Sequence, residues 1–133
     1  MQNVSFIIPN YNAENTIGKS IENIQKQKYK GKIEIIVVDD KSTDNSLKVI
    51  SQYKNVKLIK NEKNLGLAKS LNKAIKSSKY NLLNIIWCDC VLESENWLSE
   101  MVNVYNSNKK CFVGSKLIIS KEYWNKFSFY DKV

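Results

Sequence analysis

The sequence predicts an α/β protein built on a mostly parallel sheet, with helices on both faces. Short apolar runs rich in β-branched residues alternate four times with stretches in which apolar residues recur at helical spacing. This alternation is typical of strand–helix–strand units joined by right-handed crossovers. The 133 residues are enough for one hydrophobic core, so we expect a single domain over residues 1–133.

The first two strand–helix units carry the clearest patterns. The run VSFIIP predicts a strand at residues 4–9, and the run IEIIVVD predicts a second strand at residues 33–39. Asn15 or Thr16 is suited to cap the first helix, and Ser42 or Thr43 is suited to cap the second. Helical spacing predicts their buried sides as follows: Ile17, Ile21 and Ile24, then Leu47, Ile50 and Tyr53.

The alternation continues through the rest of the chain. Further strands are predicted at residues 56–59, 82–87 and 111–119, the last interrupted by Gly114, and a short helix begins near Ser120. The two remaining helices show these apolar stripes: Leu67, Leu71, Ala74 and Ile75, then Leu98, Met101, Val102 and Tyr105. Pro9, the single proline, falls at a strand end, where its missing N–H costs little.

The chain is basic, with 21 lysines, no arginine and 13 acidic residues, which gives a net charge of +8. Such a field attracts nucleotides, phosphorylated lipids, anionic membranes or nucleic acids, although solubility alone also explains it. The lysines are spread along the sequence and arginine's bidentate fork is absent, so we expect no nucleic-acid partner. Peripheral contact with a membrane stays open. Without a signal-peptide pattern or an apolar run near the ~20 residues that span a bilayer, we expect a cytoplasmic location, with the membrane surface as an option.

The cysteines predict neither a disulfide framework nor a zinc site. Cys88, Cys90 and Cys111 are an odd number, and the chain has no histidine. The missing histidine also excludes Ser-His-Asp and Cys-His nucleophiles. The glycine motifs of dinucleotide-binding and P-loop proteins are absent as well. We therefore expect buried thiols that behave as small hydrophobic side chains.

Polar side chains collect where the predicted strands end. From the first strand to the fourth, the residues at or just after each carboxyl end are Asn10-Tyr11-Asn12, Asp39-Asp40, Asn61 with Asn64-Leu65-Gly66, and Cys88-Asp89-Cys90. In parallel sheets, ligands bind beyond the carboxyl ends of the strands, where the strand order reverses. Turn chemistry explains any one of these loops, but the four together predict a ligand site at this edge.

The acidic residues are the hardest to explain as turn residues. Asp39 and Asp40 are adjacent carboxylates that repel each other, where one capping residue would be enough. We expect Asp89 at the inner end of a buried strand, where an isolated carboxylate is costly without a cation or hydrogen-bond donors. A divalent ion bridging to a diphosphate would supply that partner, because Mg²⁺ typically takes one or two carboxylates plus phosphate oxygens.

These segments resemble the family 2 glycosyltransferases, which have the GT-A fold. The matching stretches lie in the family's order and spacing across residues 4–98, and they are VSFIIPNYN, EIIVVDDKSTDNS, NLGLAKSLNKAI and IIWCDCVLESENWL. The resemblance implies a Rossmann-like, mostly parallel sheet flanked by helices that binds a nucleotide-diphospho sugar, either a UDP- or a GDP-sugar. It also implies sugar transfer with inversion and a divalent metal, Mn²⁺ or Mg²⁺, as cofactor.

The resemblance implies a role for each matching residue. The ring of Tyr11 would lie against the base or ribose, Asp40 would accept hydrogen bonds from the base, and Lys69 would act as a point charge. Asp89 matches the last acid of the family's Asp-x-Asp element, which holds the metal that offsets charge on the leaving nucleotide. The full set of implied donor-binding residues is Pro9, Tyr11, Asn12, Asp39, Asp40, Asn64, Gly66 and Lys69.

Two departures from the family pattern matter. Trp87 replaces the first acid of Asp-x-Asp, so only Asp89 remains and we expect weaker metal binding. The family's catalytic base is a carboxylate of an acidic pair well beyond this motif, whereas the sequence ends at Val133 after FSFYDKV. That ending resembles the stretch before the acidic pair, so Asp131 is not expected to be the base, and no base is named. We expect the acceptor half to be missing or supplied by another subunit, for example in a homo-oligomer.

Three functions therefore compete. The first is an inverting glycosyltransferase, whose acceptor, a polysaccharide, a lipid phosphate or a protein, the sequence leaves open. The second is a degenerate nucleotide-sugar-binding protein without transfer activity. The third is a basic α/β domain that binds nucleic acid with a steep salt dependence.

Overall fold

The computed structural model describes residues 2–107, in which strands and helices alternate strictly. The chain divides into two compact units, residues 1–100 and 101–133. The single-domain prediction stays a prediction, and the predicted strand at 111–119 and the helix near Ser120 lie outside the described residues. The elements are β1 (Val4–Asn10), α1 (Ile17–Gln25), β2 (Ile33–Asp39), α2 (Ser46–Ile50), β3 (Val56–Lys60), α3 (Leu67–Ser77), β4 (Leu82–Ile85) and α4 (Trp97–Ser107).

The four described strands form one parallel sheet in the order β3-β2-β1-β4. β1 and β2 pair along their whole length, from Val4 opposite Ile33 to Asn10 opposite Asp39. Every residue of β1 is buried, so both faces of this central strand are covered, as is usual for parallel sheets. The predicted α/β fold class is confirmed.

The hydrophobic core lies on both faces of β1 and β2. On one face, Ala74 of α3 packs with Ile7, Ile36 and Val38. Strand residues of the opposite alternation, such as Phe6, are also fully buried, and α1 buries its three predicted isoleucines completely: Ile17, Ile21 and Ile24. Each such side chain contributes roughly 1.5–3 kcal/mol on burial. Within residues 2–107, none of the helices combines the length and apolar character that crossing a bilayer requires.

The start of α2 differs from the prediction. The helix begins at Ser46 rather than after Ser42 or Thr43, because Asp44 accepts a hydrogen bond from the Ser46 N–H at 2.9 Å. Ser42 instead contacts the ends of β1 and β2. As a result, Ser46 and Ile50 are the buried residues of α2. Leu47 is only partly buried.

β4 is shorter than predicted because of a residue on its neighbour. Pairing stops at Ile85, opposite Ile7, although the apolar run continues to Trp87. The Ile86 N–H still donates to the Ile7 carbonyl at 3.1 Å. In a parallel ladder, the next bond would run from residue 9 back to the carbonyl of residue 86. Pro9 has no N–H to donate, so the ladder ends there.

Candidate functional site

The strand order places the reversal of the sheet between β1 and β4. From β1 the chain moves outward to β2 and β3, and then crosses to the other side of β1 to form β4. The loops after β1 and β4 therefore flank the position where α/β proteins bind ligands. The predicted residues are distributed over four carboxyl-side loops and the elements beside them: Pro9, Tyr11 and Asn12; Asp39 and Asp40; Asn64, Gly66 and Lys69; and Asp89.

Asp39, the last residue of β2, is buried with 1% exposure. One carboxylate oxygen, Oδ1, accepts hydrogen bonds from Asn10 Nδ2 at 2.8 Å and from Ser42 Oγ. The other, Oδ2, accepts from the Ser42 N–H at 3.1 Å. Asp39 therefore joins the end of β1 to the loop after β2. The Oδ1 atom of Asn10 is buried and has no hydrogen-bond partner among residues 2–107.

Asp40 organises the next loop along the sheet and is 7% exposed. Its Oδ1 accepts from Asn61 Nδ2 at 2.8 Å and from the Leu65 N–H at 2.7 Å, and its Oδ2 accepts from the Gly66 N–H at 2.9 Å. Burial alone would raise the pKa of Asp40, but the donors at Leu65, Asn61, Ser70 and Gly66 lower this pKa below its ordinary value.

The two adjacent carboxylates thus face separate sets of donors. Asp39 bonds toward β1, whereas Asp40 bonds toward the end of β3 and the loop that follows it. Protein donors therefore already stabilise both charges, so the repulsion between the two carboxylates does not by itself require a ligand. Each carboxylate has about four acceptor positions in total, and hydrogen bonding to a base stays a prediction for both.

The loop after β1 combines an exposed ring with a fixed backbone. Tyr11 is 54% exposed. Asn12 adopts a left-handed backbone conformation with φ 51°, which asparagine tolerates better than most residues. Its N–H donates to Ser42 Oγ at 3.0 Å, and its Oδ1 accepts from the Thr43 N–H at 2.8 Å. Asn12 therefore holds the loops after β1 and β2 together beside the Tyr11 ring.

The loop before α3 requires a glycine for its backbone. Gly66 has φ 78° and ψ 162°, a conformation that is essentially restricted to glycine. Nothing lies within 4 Å of the position a Cβ would take, so the requirement comes from the backbone and not from space. The Gly66 N–H also lies 3.1 Å from Asn64 Oδ1. Lys69 follows in the first turn of α3 with an exposed side chain.

Asp89 is placed differently from the expectation. It is exposed and lies in a turn after β4, not at the inner end of a buried strand, because the strand ends at Ile85. The turn is held from α1, where Ser20 Oγ donates to the carbonyls of Cys88 at 2.8 Å and Cys90 at 3.1 Å. The carboxylate itself lies 4.0 Å from Cys90 Sγ, which is a weak contact.

The chemistry around Asp89 fits a hard divalent cation. Burial, followed by the charge of Asp89, raises the pKa of Cys88 and of Cys90, which disfavours the thiolate form that binds metal ions. The sequence predicted that both thiols are buried, whereas the structure shows them half-buried. An exposed carboxylate oxygen suits Mg²⁺ or Mn²⁺ when it shares the ion with phosphate oxygens. Within residues 2–107, no cluster of three or more His, Cys, Asp or Glu side chains is positioned to hold a metal.

Two buried asparagines, which the sequence placed at the strand ends without an individual role, turn out to support the site. Asn10 and Asn61 are 1% and 4% exposed, and each donates to one of the paired aspartates. Asn61 is itself fixed by Lys73, whose Nζ donates to Asn61 Oδ1 at 2.9 Å. Asn10 directly follows an apolar run, and Asn61 follows the last residue of β3. That position was the available signal, since a turn residue outside the strand would be exposed.

The parallel sheet, with polar loops gathered at its reversal, defines an α/β protein whose candidate ligand site lies at the carboxyl edge of the sheet. The sequence model of Glycosyl transferase family 2 matches residues 5–130, and the chain belongs to this family. The predicted family membership is therefore confirmed.

Two relatives illustrate the match in sequence. The chain is 32% identical over 125 residues to the Escherichia coli UDP-Glc:alpha-D-GlcNAc-diphosphoundecaprenol beta-1,3-glucosyltransferase WfaP, covering 92% of this chain and 49% of that protein. It is 35% identical over 113 residues to the poly(ribitol-phosphate) beta-glucosyltransferase of Bacillus spizizenii, covering 80% of this chain and 17% of that protein. The chain thus spans half or less of the length of these relatives.

Solved structures confirm the GT-A fold. S. aureus TarS 1-349 in complex with UDP superposes with a TM-score of 0.71 at 28% identity, covering 79% of this chain and 32% of that one. The Pyrobaculum calidifontis mannosyltransferase PcManGT in complex with GDP-Man and Mn²⁺ gives a TM-score of 0.73 at 26% identity, covering 77% of this chain and 32% of that one.

Proposed function

We propose that this chain binds the nucleotide-diphospho-sugar donor of an inverting, metal-assisted glycosyltransferase. The proposal rests on how the acidic residues are arranged at the carboxyl edge of the sheet. On one side of the reversal, Asp39 and Asp40 hold three loops in fixed positions. On the other side, Asp89 presents an exposed carboxylate. The nucleotide complexes of TarS and PcManGT, the latter with Mn²⁺, support this proposal.

Each exposed group at this edge has a chemical task in the proposal. Tyr11 offers an aromatic face to a base or ribose, and Lys69 offers a point charge to the phosphates. Asp89 would hold the divalent ion together with the diphosphate oxygens, and such an ion offsets charge on the leaving nucleotide. WfaP is named for a GlcNAc-diphosphoundecaprenol acceptor and the B. spizizenii enzyme for poly(ribitol-phosphate), both of which carry phosphate, so we favour a phosphate-bearing lipid or polysaccharide acceptor over a protein.

The test is calorimetric titration of the full chain with UDP, GDP and their sugars, with and without Mn²⁺. One nucleoside should bind, and Mn²⁺ should tighten its binding at least about tenfold, which corresponds to ~1.4 kcal/mol. Asp89→Asn should abolish the Mn²⁺ effect while leaving residual nucleotide binding. Glu93→Gln is the matched control, because Glu93 is an exposed acid of the same loop. Equal losses in both variants, or no binding of any nucleotide, would contradict the proposal.

Trp87 favours a second candidate, a nucleotide-sugar-binding protein that does not transfer the sugar. This residue stands where the family pattern has its first metal-binding acid, and its side chain is 48% exposed. The two candidates share the binding result and differ in turnover. Slow Mn²⁺-dependent release of free nucleotide from the bound donor supports the transferase, whereas a donor that stays intact with every acceptor extract supports the binding protein.

A further inference from the structure

Within residues 2–107, the excess positive charge lies in residues 48–79, the lysine-rich segment. This segment contains nine lysines and a single acid, Glu62, whereas the rest of residues 2–107 contains six lysines and ten acids, and residues 108–133 contain six lysines and two acids. Lysines themselves are spread along the chain, as noted from the sequence. The asymmetry arises because the lysine-rich segment contains a single acid, a feature that the spacing of the lysines alone does not reveal.

The fold turns this asymmetry into a polarised surface. The lysine-rich segment contains the end of α2, then β3, which is an outer strand of the described sheet, and α3. Residues 80–100 start at β4, the opposite outer strand, and contain four acids and no lysine. The nine lysines of the segment are all exposed: Lys48, Lys54, Lys57, Lys60, Lys63, Lys69, Lys73, Lys76 and Lys79.

We infer that the lysine-rich segment is a docking surface for an anionic phospholipid membrane. Lysines on β3 protect an outer strand from pairing with other chains, and mixed charges of both signs would keep the surface soluble. Neither role requires that acids be excluded over the whole segment. A planar anionic surface does, because each acid that faces it weakens the attraction that the lysines supply.

The same segment is poorly suited to nucleic acid. It contains no Phe or Trp, and its single aromatic residue, Tyr53, lies before β3 with its hydroxyl donating to Glu22 of α1 at 2.9 Å. Single-stranded binding usually relies on exposed aromatic faces, and base reading favours arginine, which the chain lacks. Attraction to lipid headgroups needs only diffuse charge, which lysine provides.

The test is co-sedimentation of the full chain with vesicles of pure phosphatidylglycerol or pure phosphatidylcholine. Binding should occur with phosphatidylglycerol alone and weaken with salt, since the Debye length falls from ~10 Å at 0.1 M to ~3 Å at 1 M. Neutralising four lysines of the segment should weaken binding roughly tenfold or more; the variant combines Lys48→Gln, Lys54→Gln, Lys60→Gln and Lys76→Gln. It retains Lys57 and Lys73, which hydrogen-bond within the segment.

The matched control removes the same charge from exposed lysines elsewhere, by combining Lys19→Gln, Lys26→Gln, Lys30→Gln and Lys32→Gln. It should change binding by less than about twofold, because these charges lie outside the contact. Equal weakening in both variants, or no binding to phosphatidylglycerol at low salt, would overturn the inference. Tighter retention on single-stranded DNA than on these vesicles would overturn it in favour of a nucleic-acid surface. Vesicle binding needs no nucleotide, so its failure is distinguishable from failure of the proposed donor site.

Discussion

The two sides of the sheet reversal are built in opposite ways. On the β2 side, Asp39 and Asp40 are buried, and protein donors already contact both oxygens of each carboxylate. On the β4 side, Asp89 is exposed, and the turn around it is held through backbone groups, by the Cys90 N–H donating to the Trp87 carbonyl and by Ser20 donating to the carbonyls of Cys88 and Cys90. The first side is preorganised and loses little entropy when a ligand binds, whereas the second keeps a carboxylate free for a partner from outside.

This difference shows that acids of the same loop position perform different tasks. Both Asp40 and Asp89 follow an apolar run at the carboxyl edge. Burial and donors make Asp40 a positioning residue for residues 64–66, while exposure makes Asp89 a candidate for direct contact with an ion. If this division is right, replacing Asp40 should mainly lower stability, and replacing Asp89 should mainly lower ligand affinity.

The largest effect should come from Asp40→Ala. This change removes the acceptor of the Leu65 N–H and one of two acceptors each for the Gly66 N–H and Asn61 Nδ2, so the free energy of unfolding should fall by roughly 2–4 kcal/mol. Denaturant unfolding measures this loss directly. A loss below about 1 kcal/mol, the size of a single ordinary hydrogen bond, would contradict the structural role given to Asp40, because Asp40 would then not organise the loop.

The sequence predicted the strands and helices of this region better than the contacts between them. β1 and β2 were placed correctly because long β-branched runs leave few alternatives. The end of β4 was not, because it depends on Pro9 of a neighbouring strand rather than on the local run. The α2 start was equally ambiguous, since Ser42, Thr43, Asp44 and Asn45 are all residue types that cap helices. The contacts of Ser42 with β1 and β2, and the hydrogen bond from the Ser46 N–H to Asp44, decide where the helix begins.

The candidate site shows the same limit. The loops that form it were predicted, because polar residues follow four apolar runs. The hydrogen bonds of Asn10 and Asn61 join residues that are 29 and 21 positions apart, and no local pattern encodes such a pairing. For the same reason, the burial of Asp39 and Asp40 could not be distinguished from the exposure of Asp89.

Gly66→Ala should give the next largest effect. A Cβ at φ 78° and ψ 162° strains the backbone by roughly 1–3 kcal/mol, and relieving that strain would pull the Gly66 N–H away from Asp40. Thermal or denaturant unfolding measures the loss of stability. Asn64→Ala is the matched control in the same loop, since it removes one side-chain acceptor and should cost about 1 kcal/mol or less. An undiminished stability in Gly66→Ala would show that the loop is not held in this conformation.

Acidification should weaken the preorganised side selectively. Donors lower the pKa of Asp40 and of Asp44 below the ordinary value of 3.8, so the unfolded chain takes up protons first as the pH falls. The free energy of unfolding should therefore be constant near neutral pH and should decline as the pH drops below about 4 toward the folded-state pKa values. Asp40→Asn should flatten this decline. An unchanged pH profile in that variant would mean that Asp40 is not the titrating group.

The smallest effect on stability should come from Asp89→Asn. An exposed carboxylate without strong protein donors contributes little to folding, so the free energy of unfolding should change by less than about 0.5 kcal/mol. Asp40→Asn provides the direct comparison, because the chemical change is identical and only the surroundings differ. If Asp89→Asn instead destabilised the chain by as much as Asp40→Asn, Asp89 would be a structural residue of its turn. We expect Asp89→Asn to keep the stability of the unchanged chain and to lose the Mn²⁺ effect on nucleotide binding. That pair of results would show that the Asp89 carboxylate serves ligand binding and not folding.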